Sequence, residues 1–396
     1  MTAAPGPEHR HTSVPPWRDV RVLRVAGQVV VVGAVGLLIA FLFGNLSGTM
    51  AQRGLSFDFG FLDDRAGFEI GESPFPYSSN DTYGRAFMVG LLNTLFVSVV
   101  GIVLATMLGL VVGIARLSPN WLLNRVAAGY VEVMRNTPLL VQLFFIYFAV
   151  LLQLPSVGET ITLPGSVFLN QRGLFVPAPL RAPTFPTWLA IVGVGLVIAV
   201  ATRIIGSRLR ASGRRSHSIG LIGALAFPAI AIISWLLLSE APIQFDLPER
   251  GRFNFSGGMA LSTSFTAILI GLVLYTAAFI GEVVRGGIQA VRRGQLEAAR
   301  ALGLSEGDTL RLVVFPQALR VIVPPLTSQY LNLAKNSSLA IAVGYPDLFK
   351  VGTTMTNQTG QPVPVIVLVM GTYLAISLVT SLLMNLYNRR VQVLER

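Results

Sequence analysis

Cysteine is absent from the 396 residues, lysine occurs only as Lys335 and Lys350, and charged residues make up just 12% of the chain. The missing thiols exclude disulfides and thiolate chemistry and leave the redox compartment unspecified. Only three histidines occur: His9 and His11 near the start, and His217 beside an arginine cluster. None has the spacing of a metal site, so no metal is predicted. Neither lysine follows a glycine, so the GxxxxGK[ST] phosphate loop is missing. The chain cannot supply its own nucleotide-binding loop, and any ATP and Mg would be handled by a partner, with no cofactor bound here. No repeat of fixed period and no inverted halves are visible.

Apolar residues are what the chain has in quantity. Hydrophobic residues reach 53% and mean hydropathy is +0.65, whereas soluble domains carry about a quarter charged residues. The reading is an integral membrane protein. Backbone groups in lipid must be satisfied internally, so its long apolar runs are helices and the fold class is all-α, polytopic. The net charge of +11 does not point to nucleic acid, because the arginines lie at the ends of apolar runs.

Apolar length and flanking charge predict eight spans, at about 22–43, 86–114, 126–152, 187–205, 218–239, 262–285, 317–335 and 363–387. Arg10, Arg18, Arg21 and Arg24 precede the first, which reads as an uncleaved anchor with a cytoplasmic N-terminus. Alternation then places the acidic 44–85 loop outside, with Asp58, Asp63, Asp64, Glu69, Glu72 and Asp81. Inside fall Arg116 and Arg125, the cluster Arg203, Arg208, Arg210, Arg214 and Arg215, then Arg285, Arg292 and Arg293, and finally Arg389, Arg390 and Arg396. All the short loops agree on one orientation, in a bilayer read as a bacterial inner membrane with both termini cytoplasmic. Pro324, Pro325, Asn332 and Lys335 interrupt the span at 317–335. The stretches 154–186 and 240–260 read as irregular outer linkers. The chain divides into 1–85, holding tail, first span and outer loop, and 86–390, a transmembrane domain with an inserted helix pair at 187–239.

The most informative segment is EAARALGLSEGDTLRLVVFP, residues 297–316. A short helix over 296–302 offers Glu297 and two adjacent alanines, Ala298 and Ala299, whose small side chains let a partner surface approach. Gly303 ends it in the left-handed region. Ser305 caps a second turn, with Asp308 three residues on completing a capping box, and Pro316 closes the module. This spacing resembles the EAA loop of bacterial ABC importer permeases, which docks on a separate ATPase subunit.

Further motifs narrow the resemblance. Asn93-Thr94, YVEVMRNTPLLVQ at 130–142, YTAAFIGEVVRGGIQ at 275–289 and KNSSL from Lys335 follow the order found in permeases that import polar amino acids. The acidic-aromatic loop at 55–73 and the inserted pair resemble most closely the Q-type permease of the general L-amino-acid transport system. The resemblance implies a type I importer core of five spans and no covalent chemistry. It also implies ATPase subunits, a second homologous permease in a heterodimer, a periplasmic binding protein and an L-amino-acid substrate. Coupling to the ATPase would fall to Glu297, Ala298, Ala299, Gly303 and Pro316.

Polar residues in or beside spans are the candidates for the substrate pathway: Asn93, Thr94, Glu132, Arg135, Asn136, Thr137, Tyr275, Glu282, Arg285, Asn332 and Lys335. A zwitterion needs donors for its carboxylate and acceptors for its ammonium. Glu132 with Arg135, and Glu282 with Arg285, are spaced to pair on one helix face, either in the pathway or as headgroup anchors. Pro138 frees a carbonyl one turn back that could face a polar substrate. Interhelical hydrogen bonding is the competing role for each polar residue. Gly109 and Gly113 read as close helix packing, and the 44–85 loop as a docking surface or a folded cap. The rival functions are an ion-coupled secondary transporter and a scaffold without a pathway.

Overall fold

A computed structural model describes residues 20–52, 57–211, 217–251 and 254–391. His9, His11, Arg10, Arg18, Arg214, Arg215 and Arg396 lie outside them. The described helices are α1 (Val20–Gln52), α2 (Tyr83–Ala115), α3 (Trp121–Asn136), α4 (Leu139–Phe144), α5 (Phe185–Ala211), α6 (His217–Leu237), α7 (Thr263–Gln289), α8 (Arg293–Ala301), α9 (Glu306–Asp308), α10 (Phe315–Asn336), α11 (Leu348–Thr359) and α12 (Pro362–Val391).

Among the described residues, six helices are long and apolar enough to cross a membrane. A seventh span exists if α3 and the stretch Leu139–Gln153 count as one, although they meet at 107°. The apolar stretch Leu225–Leu237 in α6 is shorter, so the expected count of eight is not reached on length and apolarity. The span expected at 126–152 is therefore not straight. Pro138 lacks an N–H and drives the residue before it out of the helical region, and Thr137 is extended at φ −103, ψ 131. The interrupted pattern at 317–335 has the opposite outcome, because α10 runs unbroken through Pro324 and Pro325. The chain breaks just after it, in a tight 3-10 stretch over Ser337–Val343.

The core centres on α7, which buries Phe265, Ile268, Leu272, Ile280 and Val284 completely or nearly so. With the buried Thr276 these positions recur every three to four residues, so one helix face is committed to packing. Helix α2 lies closest to it. At Gly109 an added Cβ would stand 2.6 Å from Ile280 Cβ, and at Gly113 2.8 Å from Val284 Cβ, so only glycine permits this approach. A second cluster joins Phe61, Ala66 and Tyr83 to Leu348, Val351, Met355 and Val365. The loop before α2 is thus folded down onto α2, α11 and α12. Helix α11 was not foreseen in the sequence, although Asp347 as its cap and apolar residues at 348, 351 and 355 carry the signal.

The linkers at 154–186 and 240–260, expected to be irregular, carry short strands. Residues Ile161–Leu163 (β1), Val167–Asn170 (β2), Gly173–Val176 (β3) and Met259–Ser262 (β8) form an antiparallel sheet in the order β1-β2-β3-β8. Ala178–Arg181 (β4) pairs with Ile243–Asp246 (β5), and Glu249–Arg250 (β6) with Phe255–Ser256 (β7). Strands of two to four residues give too short an alternation to read, and β3 finds β8 more than 80 residues away. The inserted helices α5 and α6 pack on each other. The Trp188 indole N–H donates to the Ala231 carbonyl at 3.1 Å, and its ring meets Trp235 edge-on. Every described side chain of α1 is exposed.

Candidate functional site

The segment 293–316 is built from two short helices, joined by a tight turn and largely exposed. Helix α8 ends in a Schellman motif: Leu304 N–H reaches the Ala299 carbonyl at 3.1 Å and Gly303 N–H the Arg300 carbonyl at 2.9 Å. This motif requires a left-handed residue, and Gly303 has φ +75. Ser305 Oγ accepts from Asp308 N–H at 3.1 Å and caps α9 as expected. The box is only half made, because the Asp308 carboxylate takes the Ser305 hydroxyl at 2.7 Å and leaves the backbone N–H at 305 aside. Pro316 does not close the module. It lies in the first turn of α10, where its missing N–H is tolerated.

The two alanines differ. Glu297 and Ala298 face outward, whereas Ala299 is buried beneath the helix. Leu296 anchors the same inner face in the core beside Val291, Val314 and Ala318. Leu302, at the tip, is 81% exposed, and it is a feature the sequence reading passed over. A wide π turn over Thr309–Val314 then joins the projection to α10.

The ends of α2, α3 and α7 that lead towards this projection carry the charged candidates. Glu282 is shared by two arginines: Arg116 Nη2 lies 3.1 Å from Oε1, and Arg285 Nη2 lies 2.8 Å from Oε2. The Glu282–Arg285 pair is formed as its spacing suggests. Arg116 was not foreseen as its second partner. Glu132 and Arg135 do not pair. The Arg135 guanidinium instead covers the Phe279 ring at 5.2 Å. Together Arg116, Glu132, Arg135, Asn136, Phe279 and Glu282 line an open cleft of about 400 Å3.

The carbonyls freed near Pro138 are not presented to a substrate. Gln142 turns its side-chain amide back and donates to both Met134 O and Thr137 O at 2.9 Å. The glutamine closing the 130–142 motif thus caps α3 across the bend. Replacing Gln142 with leucine removes the partner of two partly buried carbonyls, at up to about 1–3 kcal/mol each. A fall in the thermal midpoint of the purified complex is expected. An unchanged midpoint would mean that the bend is held by other contacts.

Asn93 and Thr94 are fully engaged inside the chain. Asn93 Nδ2 donates to the carbonyls of Glu72 and Pro346, both at 2.9 Å, and Thr94 Oγ1 accepts from Leu348 N–H at 2.9 Å. They fasten α2 to the loop that precedes it and to the start of α11. Tyr275 is half-buried, its ring 4.9 Å from Phe279. Asn332 and Lys335 are exposed on one face of α10. Leu333, between them, touches the position of Gly101 near the middle of α2. These two polar side chains therefore leave α10 level with the middle of α2, a long apolar helix on which polar groups face water or other protein.

Glu72 also ties the 57–82 loop to α7, accepting a hydrogen bond from the hydroxyl of Ser262, the residue that caps that helix. Burial raises the Glu72 pKa, an effect the Ser262 bond partly offsets. A carboxyl with a raised folded pKa stabilises the fold most when protonated, and this contribution is lost as pH rises through the raised value. As pH rises above the ordinary carboxylate range, the wild-type melting temperature should therefore fall relative to Glu72→Gln, whose side chain does not titrate, and level off once Glu72 is ionised. Parallel curves for the two proteins would refute the assignment.

Residues 101–393 match the family model described as "Binding-protein-dependent transport system inner membrane component". The general L-amino acid transport system permease protein AapQ of Rhizobium johnstonii is 47% identical over 89% of this chain and 88% of its own length. The glutamate/glutamine/aspartate/asparagine transport system permease protein BztB of Rhodobacter capsulatus is 41% identical over 96% of each chain. A crystal structure of an amino acid ABC transporter with histidines is 22% identical with a TM-score of 0.47, covering 78% of this chain and 95% of that one.

Proposed function

Because this chain belongs to the family of binding-protein-dependent transport system inner membrane components, a multi-pass permease subunit and not an enzyme, we propose that it carries L-amino acids into the cell. It pairs with a second, homologous permease and with two ATPase chains, which bind the ATP and Mg, and it receives substrate from a periplasmic binding protein. Both termini lie in the cytoplasm. The observation that carries this reading is the projecting tip at Glu297, Ala298, Leu302 and Gly303, outward on one side and rooted in the core through Ala299 and Leu296.

ATPase closure would push this tip, together with Pro316 at the start of α10, as one body. The attached spans then exchange one packing for another, which a partner's nucleotide state can bias. The polar face of α10 at Asn332 and Lys335 suits the substrate path. Glu132, Arg135, Asn136, Glu282 and Arg285 lie where that path would open towards the cytoplasm, with Tyr275 and Thr137 beside them. Asn93 and Thr94 serve the path as positioning residues, since their polar atoms hold α2 to its neighbours. Helix α1 and the α5–α6 pair are peripheral additions to a core of five spans.

The test is uptake in sealed vesicles together with co-purification of an ATPase. Uptake should follow ATP and ignore a collapsed proton or sodium gradient, and substrate with its binding protein should stimulate hydrolysis. Uptake driven by an ion gradient alone would favour a secondary transporter. Hydrolysis indifferent to substrate would favour a scaffold.

A further inference from the structure

Between Phe185 and Ser239 the sequence carries five arginines, no lysine and no carboxylate. Three of them, Arg203, Arg208 and Arg210, lie on the last turns of α5. The opposite end of the α5–α6 pair carries Trp188 and Trp235. About 33 Å of helix separates Trp188 from Arg210 at 1.5 Å per residue, close to the depth of a bilayer's hydrocarbon core. Aromatic rings at one boundary and arginines at the other suit a pair that spans this depth. The two helices pack chiefly on each other. They meet at the buried Gly195, where an added Cβ would stand 3.2 Å from Ile230 Cγ2. Around this contact runs an apolar groove in two stretches of about 310 and 330 Å3, which share Ile191 and Ile230. On α5 its wall is Ile191, Val194 and Ile198. The same helical register reaches Arg208 about four turns beyond Val194.

We infer that the α5–α6 pair holds an anionic phospholipid, its phosphate at the arginine end of α5 and one acyl chain in the groove. The charge is complementary: a basic cluster with no carboxylate to neutralise it attracts anionic headgroups. Its composition is too, because a guanidinium can pair two phosphate oxygens at once where an ammonium acts as a point charge. A groove that is almost wholly apolar offers a hydrocarbon chain the close contact that is the main attraction available inside a bilayer. Such a site depends neither on which substrate is transported nor on which side of the membrane the arginine end lies.

The assembled transporter is purified in neutral detergent and titrated with phosphatidylglycerol or phosphatidylcholine of identical acyl chains. Lipid bound to this subunit is counted by native mass spectrometry. Wild type should retain phosphatidylglycerol about tenfold better than phosphatidylcholine. Combining Arg203→Gln, Arg208→Gln and Arg210→Gln should abolish that preference. Val194→Trp leaves every charge in place and fills the groove from an exposed position, so it should weaken retention of both lipids. Arg389→Gln with Arg390→Gln, at the end of α12, is the control for general attraction between arginines and anionic lipid, and should change neither result. Equal retention of the two lipids by wild type, or a preference lost as fully in the control as in the triple variant, overturns the site. If the triple variant fails to assemble, Val194→Trp decides, since retention equal to wild type excludes the groove. A photoreactive residue at position 194 that crosslinks to another subunit also overturns the proposal, because the groove then belongs to a protein.

Discussion

Gly303→Val is expected to reduce ATP-coupled uptake to background while the chain still inserts in the membrane. The glycine has φ +75, a region that costs an L-residue roughly 1–2 kcal/mol and a β-branched one more. Nothing lies within 4 Å of a Cβ added there, so the damage within the chain is purely conformational. To escape the strain, valine must abandon the Schellman bonds from Leu304 and Gly303. The tip that carries Leu302 would then lose its fixed orientation. Gly303→Asn separates two causes, because asparagine tolerates the left-handed region. Uptake retained by Asn and lost by Val identifies backbone geometry as the requirement. Loss in both identifies close approach of the ATPase surface. Normal uptake by the valine variant would count heavily against a coupling role for this loop.

Gly109→Leu or Gly113→Leu should prevent the permease from reaching its folded state, measured as loss of the monodisperse complex and of its thermal transition. The Cβ at 109 would lie 2.6 Å from Ile280 Cβ and 3.1 Å from the Ala277 carbonyl, and at 113 2.9 Å from the Gly281 carbonyl. These neighbours are backbone or branch-point atoms that cannot swing aside. Overpacking costs about 1–3 kcal/mol even where some relaxation is possible, and here the main interface of α7 must open. Gly129→Leu on α3 is the control, with nothing within 4 Å of its Cβ. It should leave yield and melting nearly unchanged. Equal behaviour of the three variants would show that the α2–α7 seam is looser than its geometry indicates.

Residues that act through their immediate neighbours were legible without coordinates. Apolar length predicted the helices because lipid leaves the backbone no other partner. Gly303 and Ser305 could be placed because a helix end is closed by the residues next to it. The Glu282–Arg285 pair was legible for the same reason, at one helical turn. Glu132 and Arg135 have identical spacing and do not pair. What separates the cases is Phe279, which holds one arginine by its ring, and Arg116, contributed from 166 residues away to the other carboxylate.

Local pattern thus determined the membrane class, the helical composition and the position of the projecting loop. The three-dimensional structure decided where α3 bends, that Gln142 and not a substrate takes the freed carbonyls, and that Asn93 and Thr94 are consumed in holding α2 to α11. It also decided that Ala299 turns inward while Ala298 stays out, and that β3 pairs with a strand more than 80 residues on. The fastening of Asn93 and Thr94, the burial of Ala299 and the β3–β8 pairing depend on groups far apart in the chain meeting at hydrogen-bond or contact distance, whereas the bend at Pro138 and its closure by Gln142 are local. Such meetings leave no period and no spacing to read, since the energy that selects them appears only when the distant partner is present.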